Sequence, residues 1–377
     1  MARRIFIMPV MRKKITLGGD FDGLGTPAVA LETIMARQPR AQKRKWHYAF
    51  GSEVEPQFRA VLKANHEIGT LYDDASIEKR SPESVPRCDI YVAGAPCQPF
   101  CHGGKHEGEG AAEGMLIWAS VAHIVAKKPN CFVLEESDTF GIGKFKPLLD
   151  EILANIGLVK DKNGEPLYVV KYKVLNNIEN GLPSVRKRTY IVGMKKYMMG
   201  KGREFTWPTP LPMPHLSSIL DATLPEHIPT TRTVLRNLLA IMTECFERGF
   251  VPNNELIMMD VWNSAKFGTH WLKDIIPTLT KTRAATGGFY ISKYKRMMTT
   301  AEMLRSQGFD PARFTWEGLV TDLEGGRSRG VTERQFRMMV GNSMALPVVG
   351  RVMLRALIAT GQMSPHAVDP WRASNPN

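Results

Sequence analysis

Cysteine is scarce in this chain. There are five in 377 residues (Cys88, Cys97, Cys101, Cys131 and Cys245), an odd number. So few excludes a disulfide framework and points to free thiols in a reducing compartment. Long apolar runs are missing too: none approaches the ~18 residues of a membrane span. The first residues, Met1 to Lys14, hold only a short apolar stretch broken by Pro9 and closed by Arg12-Lys13-Lys14, with no small-residue cleavage site, so no secretory leader is read there. No tandem repeat is evident. Acid is also in short supply, because 37 Asp and Glu face 50 Lys and Arg, leaving a net charge of +13 and a pI near 9.5. A polyanion is therefore the first partner to consider, with a plain solubilising surface as the bland alternative. These absences predict a soluble intracellular chain, long enough for one large α/β domain with a smaller inserted lobe.

The stretch that organises the rest is Tyr91-Val92-Ala93-Gly94-Ala95-Pro96-Cys97-Gln98-Pro99-Phe100-Cys101. An apolar run that breaks into Gly, Pro and Pro reads as a buried strand ending in a rigid loop. Open α/β sheets put their chemistry at the carboxyl ends of their strands. Prolines on either side of Cys97-Gln98 restrict the backbone and aim the thiol. Most intracellular cysteines are small buried hydrophobes, but a core cysteine needs neither flanking proline.

Upstream, Ile15 to Thr26 reads as a strand passing into the glycine-rich turn Phe21-Asp22-Gly23-Leu24-Gly25, with Pro27 to Arg37 as a helix. Such a turn brings a ligand close to backbone at a helix N-terminus. A second strand, Tyr48 to Ser52, ends at Glu53, where an acid is placed to hold ribose hydroxyls; a solvated strand end is the alternative. Downstream, Cys101 to Gly110 is too glycine-rich for regular structure and suggests a flap. Cys97, Cys101, His102 and His106 also admit a zinc reading, weakened by irregular spacing, so no metal is assigned. Leu116 to Lys127 has helical periodicity, and Cys131 to Leu134 is a strand ending in Glu135-Glu136-Ser137. From Arg186 to Arg203 there are seven basic residues and no acid, a run suited to a phosphate backbone. Four prolines between Pro208 and Pro214 mark a linker.

The Cys97 loop resembles the Pro-Cys-Gln signature of the DNA (cytosine-5) methyltransferases, with Cys101 where a serine is usual. The order of the other motifs extends the resemblance from Phe21 to Asn342. It implies a Rossmann-like, S-adenosylmethionine-dependent methyltransferase fold of the α/β class with a small inserted target-recognition lobe, acting on double-stranded DNA as a monomer. By the same resemblance Phe21 stacks on the cofactor's adenine, Gly23 and Gly25 shape its turn, Glu53 binds its ribose and Asp74 its adenine amino group. Pro96 and the Gly341-Asn342 pair complete that pocket. Cys97 is the nucleophile, Glu135 the proton donor at the cytosine ring, Arg188 the holder of its O2, and Arg186 orients the loop or contacts phosphate.

Several departures accompany the match. The family has an acid two residues before the Phe, near the cofactor's methionine end; here Gly19 stands there, with Asp20 shifted by one. Glu136 replaces an Asn, which sets a second carboxylate beside Glu135, and Ser184 replaces a Gln. Expected boundaries are 1–204 for the first part of the catalytic domain, 205–325 for the recognition lobe, 326–363 for a returning segment and 364–377 for a disordered tail. A transfer-RNA methyltransferase on this plan would carry a Cys-Phe-Thr tripeptide, which is missing. A catalytically silent DNA-binding regulator is the other alternative. The expected location is with DNA: the nucleus of a eukaryote or the cytoplasm of a bacterium.

Overall fold

The computed structural model describes residues 14–72, 77, 80–96, 116–143, 145–200, 203–263, 268–323 and 327–372. Its body is a seven-stranded sheet of order β3-β2-β1-β4-β5-β7-β6. The strands are β1 (Ile15–Asp20), β2 (Trp46–Ser52), β3 (Ile68–Tyr72), β4 (Ile90–Ala93), β5 (Cys131–Ser137), β6 (Tyr168–Asn176) and β7 (Lys187–Lys195). β7 alone runs against its neighbours, antiparallel to both β5 and β6. The order reverses between β1 and β4, and a crevice at such a switch point is where doubly wound sheets bind ligands.

Helices cover both faces. On one lie α1 (Thr26–Arg37), α2 (Pro56–Asn65) and, from the far end of the chain, α10 (Leu346–Ala359); on the other lie α3 (Leu116–Lys127), α4 (Asp138–Ile142) and α5 (Lys146–Gly157). α1 starts cleanly because Gly25 takes the left-handed conformation, φ 71°, and Pro27 sits in its first turn. α10 packs against α1, β5 and β7 and is buried almost throughout. It even buries Arg351, whose guanidinium is met by Asp369 Oδ2 at 2.7 Å, Asn180 Oδ1 at 2.8 Å and the Thr209 carbonyl at 2.6 Å.

The second lobe opens with α6 (Arg232–Glu247), laid over a four-stranded sheet of β8 (Ile257–Met259), β9 (Trp271–Lys273), β10 (Tyr290–Ile291) and β11 (Arg296–Met297). α7 (Lys281–Ala285), α8 (Thr300–Ser306), a hairpin of β12 (Val320–Leu323) and β13 (Arg327–Gly330), and α9 (Glu333–Asn342) lead back to the body. Thr299 with Glu302, and Thr332 with Gln335, form capping boxes that start α8 and α9. One apolar core runs without a break from Leu17 and Ala28 through Leu354 to Met258, Phe289 and Met303 in this lobe.

Two expectations change. The proline-rich stretch at 205–214 is no free linker: Phe205 is buried and Leu211 donates its N–H to the Glu179 carbonyl at 2.8 Å. The tail expected to be disordered from Ser364 is packed as far as Arg372. Asp369 pairs with Arg351, Val368 bonds Gln38, and Trp371 lies so close to Gly350 that a Cβ there would overlap its ring. Polar composition suggested disorder, but an indole, an ion pair and the bonds between Gln38 and Val368 tie the segment to the body. Trp371→Ala should therefore cost about 1–3 kcal/mol of stability, read as a lowered midpoint in urea unfolding; an unchanged midpoint contradicts the packing.

No single helix among the described residues is long and apolar enough to cross a membrane.

Candidate active site

The strand ends on either side of the switch point carry the groups singled out above. β1 runs into Phe21, which takes φ 61°, and Gly23 follows at φ 49°. A Cβ on Gly23 would have nothing within 4 Å, so the turn opens onto free space, whereas one on Gly25 would meet His66, whose Nε2 bonds the Leu24 carbonyl at 2.9 Å. Glu53, just past β2, accepts the Gly23 N–H at 3.1 Å and the Glu55 N–H at 3.0 Å. Phe21, Gly23, Gly25 and Glu53 thus come together, and burial pushes the Glu53 carboxyl up from its ordinary range.

β1 also settles what became of the missing acid. Successive strand residues face opposite sides of a sheet, so Asp20 cannot stand in for Gly19. Its carboxylate is instead held on the other face by Arg80 at 2.7 Å, Tyr91 Oη at 2.8 Å and Ser52 Oγ at 2.5 Å. Arg80 in turn stacks over Tyr72, 4.4 Å from its ring centre. Gly19 faces Asp22, whose Oδ1 lies where a Cβ on Gly19 would stand. Asp22 Oδ2 accepts the Ser52 N–H at 2.7 Å, while Oδ1 is buried without a hydrogen-bond partner. Burial pushes this carboxyl up to about 8. Reading by position missed Asp22; the signal was an acid inside the turn beside a glycine where the acid belonged.

β4 ends at Ala93, and a Cβ on Gly94 would come within 2.7 Å of Met344 and 3.3 Å of Glu135 Oε2. The start of the Pro96 loop, the segment after Asn342 and the Glu135 carboxylate therefore meet at one point. Asn342 itself ends α9 with its side chain exposed. Cys97 and Asp74 lie outside the described residues, as do Cys101, His102, His106 and the flap at 103–114. No group of three metal-ligating side chains occurs among the described residues.

On the other side, Arg188 Nε lies 3.3 Å from Glu135 Oε1. The pair follows from register: Glu135 faces Tyr190 and Ser137 faces Arg188, making Glu135 and Arg188 diagonal neighbours across antiparallel strands. Glu136 points to the opposite face of β5 and is fully buried, with the Ser137 N–H on its Oε2 at 3.2 Å. The expected carboxylate pair at 135 and 136 is therefore not formed.

Arg186 corrects a second reading. It is 5% exposed, and its guanidinium donates to the carbonyls of Leu279 at 3.1 Å and Gly341 at 3.3 Å. That tie between lobe, α9 and β7 matches the orienting role and leaves no room for phosphate contact. Ser184, where a Gln was expected, accepts from Asn177 Nδ2 at 3.0 Å and donates to the Ser306 carbonyl at 3.0 Å.

The basic run also divides. Lys187 begins β7 and Lys195 ends it, so ~26 Å of strand separates them. Lys187 is exposed beside the active-site end, whereas Lys195, with Arg87, Lys127, Lys128 and Lys160, lines a cavity of about 1010 Å³ at the opposite end of the sheet.

Known proteins resemble the chain in sequence and in fold. Residues 21–356 match the family described as C-5 cytosine-specific DNA methylase. Type II methyltransferase M.HaeII of Haemophilus aegyptius is 30% identical over 308 residues, covering 80% of this chain and 82% of that protein. M.NgoBI of Neisseria gonorrhoeae is 28% identical over 310 residues, covering 80% and 83%. Among solved structures, the Entamoeba histolytica methyltransferase EhMeth superposes with a TM-score of 0.57 at 16% identity, covering 92% of this chain and 98% of its own.

Proposed function

The chain belongs to the C-5 cytosine-specific DNA methylase family and is by that membership a DNA (cytosine-5)-methyltransferase; we propose that it works through Cys97 with S-adenosylmethionine as methyl donor. What supports the assignment is one observation above all: the end of β4, the Glu135 carboxylate and the residue after Gly341-Asn342-Ser343 converge at Gly94, three residues before Cys97. An acid and the edge of the proposed nucleotide pocket thereby meet at the point from which the chain runs on to Cys97 in the sequence.

The donor fits the residues present. Phe21, the open turn at Gly23 and the Glu53 carboxylate would hold its adenosine, and the buried carboxyl of Asp22 stands beside them in the same turn. When bound it supplies an electrophilic methyl group on a sulfonium. Cytosine C5 is too poor a nucleophile to accept that methyl unaided. Addition of the Cys97 thiolate to C6 makes the ring an enamine and C5 nucleophilic; once C5 is methylated, loss of its proton to solvent expels the thiolate from C6 and restores the ring. Charge then develops on the ring, and Glu135 donates a proton at N3 while bonding the exocyclic amine. Arg188, 3.3 Å from Glu135, holds O2 and orients the acid. Arg186 ties this strand to the lobe and to Gly341, keeping the two halves of the crevice in register. C5 is out of reach inside a duplex, so the target base must be flipped out. The DNA partner and the location on DNA follow from the same reading.

The test is transfer of labelled methyl from S-adenosylmethionine to DNA and RNA side by side, with 5-fluorocytosine DNA as a covalent trap. Label and adduct on DNA are expected; label on RNA alone overturns the substrate. The division of the basic run makes a further prediction. Lys187→Ala should weaken DNA binding and lower the salt slope by about one unit, while Lys195→Ala should leave the slope unchanged in fluorescence titrations at several salt concentrations. Equal effects from both would contradict this orientation of the duplex.

A further inference from the structure

We propose that Asp22 is the carboxylate that grips the amino group at the methionine end of the cofactor, doing from the turn what a residue at position 19 cannot. The inference rests on S-adenosylmethionine as the donor and adds to it the residue that holds its cationic end. Three observations carry it. Gly19 stands where the resemblance expects an acid, and a Cβ there would overlap Asp22 Oδ1, so the two positions compete for one volume. A second glycine completes the seat, since a Cβ on Gly51 would lie 2.8 Å from Asp22 Oδ2. Finally, Asp22 is 6% exposed, yet its Oδ1 has no hydrogen-bond partner. A buried, unsatisfied carboxyl oxygen costs stability, and Asp22 sits between Phe21 and Gly23 in the turn that opens onto the crevice. A ligand ammonium is the partner that would relieve it.

Proton linkage follows. Burial is the main reason Asp22 ionises only near 8; the charges of Asp20 on β1 and Glu53 after β2 raise it further, while the Tyr48 hydroxyl on β2 and the Ser52 N–H act against them. Below that pH the carboxyl is neutral and must release its proton to pair with an ammonium, so cofactor affinity should climb between about pH 6 and 8. Stability has the opposite sign. An unfolded Asp ionises near 3.9, so between that pH and about 8 the folded state alone keeps the proton, and its stability erodes as pH rises.

Calorimetric titration of the full chain with S-adenosylmethionine, S-adenosylhomocysteine and 5′-methylthioadenosine tests this, because only the first two carry the amino group. Asp22→Asn should lower affinity for those two about tenfold, the loss of one charge-assisted contact, and leave methylthioadenosine within about twofold. The pH dependence of binding should flatten, and the Tm of the ligand-free protein should rise, more at pH 8 than at pH 6. The paired change Gly19→Asp with Asp22→Ser should restore affinity, while Gly19→Asp alone should not. Equal loss on all three ligands would mean that Asp22 merely shapes the turn, and no loss would mean that it touches nothing; either overturns the inference and spares the donor. A wild-type protein that binds none of the three removes both.

Discussion

Cys97→Ser should abolish methyl transfer, by at least about 10³-fold in single-turnover assays, while S-adenosylmethionine affinity stays within about twofold. A serine hydroxyl is far less ionised than a thiol and needs an adjacent base to attack carbon. The residues proposed to hold the donor's adenosine stand at the ends of β1 and β2, on the other side of the switch point. The proposed acid stands at the end of β4, where a Cβ on Gly94 would lie 3.3 Å from Glu135 Oε2, and Gly94 is three residues before Cys97 in the sequence. The trapped 5-fluorocytosine adduct should vanish with the thiol. Residual transfer near the wild-type rate would remove Cys97 from the mechanism, and transfer absent from the wild type itself, with cofactor and DNA still bound, would favour a silent regulator on this fold.

Glu135→Gln should lower the rate of the chemical step by about 10²–10³-fold with DNA affinity nearly unchanged. The amide keeps the shape and the hydrogen bond to the exocyclic amine but cannot deliver a carboxylic proton at N3. Arg188 enters the same unit, because its Nε lies 3.3 Å from Glu135 Oε1 and both side chains are largely buried. Groups that act as a unit are strongly non-additive. Glu135→Gln combined with Arg188→Ala should therefore cost little more than the worse single change, measured as single-turnover rates on one duplex substrate. Multiplying losses would show that the two side chains act independently. Glu136→Gln offers a contrast, since that side chain lies on the other face of β5: an effect on the chemical step as large as that of Glu135→Gln would revive the paired-carboxylate reading.

Much of the fold was legible because its signals are local. Buried parallel strands read as short apolar runs, and the helix Leu116–Lys127 appears where periodicity expects it. The order of the Phe21, Glu53, Cys97, Glu135 and Arg186 motifs was enough to name the family, since each marks a strand end and strand ends share one crevice. Alternation along β5 was in principle legible too, yet adjacency in sequence made Glu135 and Glu136 look like a pair.

What sequence alone determined here is therefore the chemistry: which residue types occur, in what order, at which strand ends. Tertiary structure decided which of them meet. Arg186 is a brace because Leu279 and Gly341, distant in sequence, turn their carbonyls to it. The basic run splits because one extended strand carries it from one end of the sheet to the other. Asp22 fills the volume left by Gly19 because two glycines on neighbouring strands open a seat between them. Each is a matter of which side chain occupies a volume that several positions border, and that occupancy is set by packing across the chain rather than by any local signal.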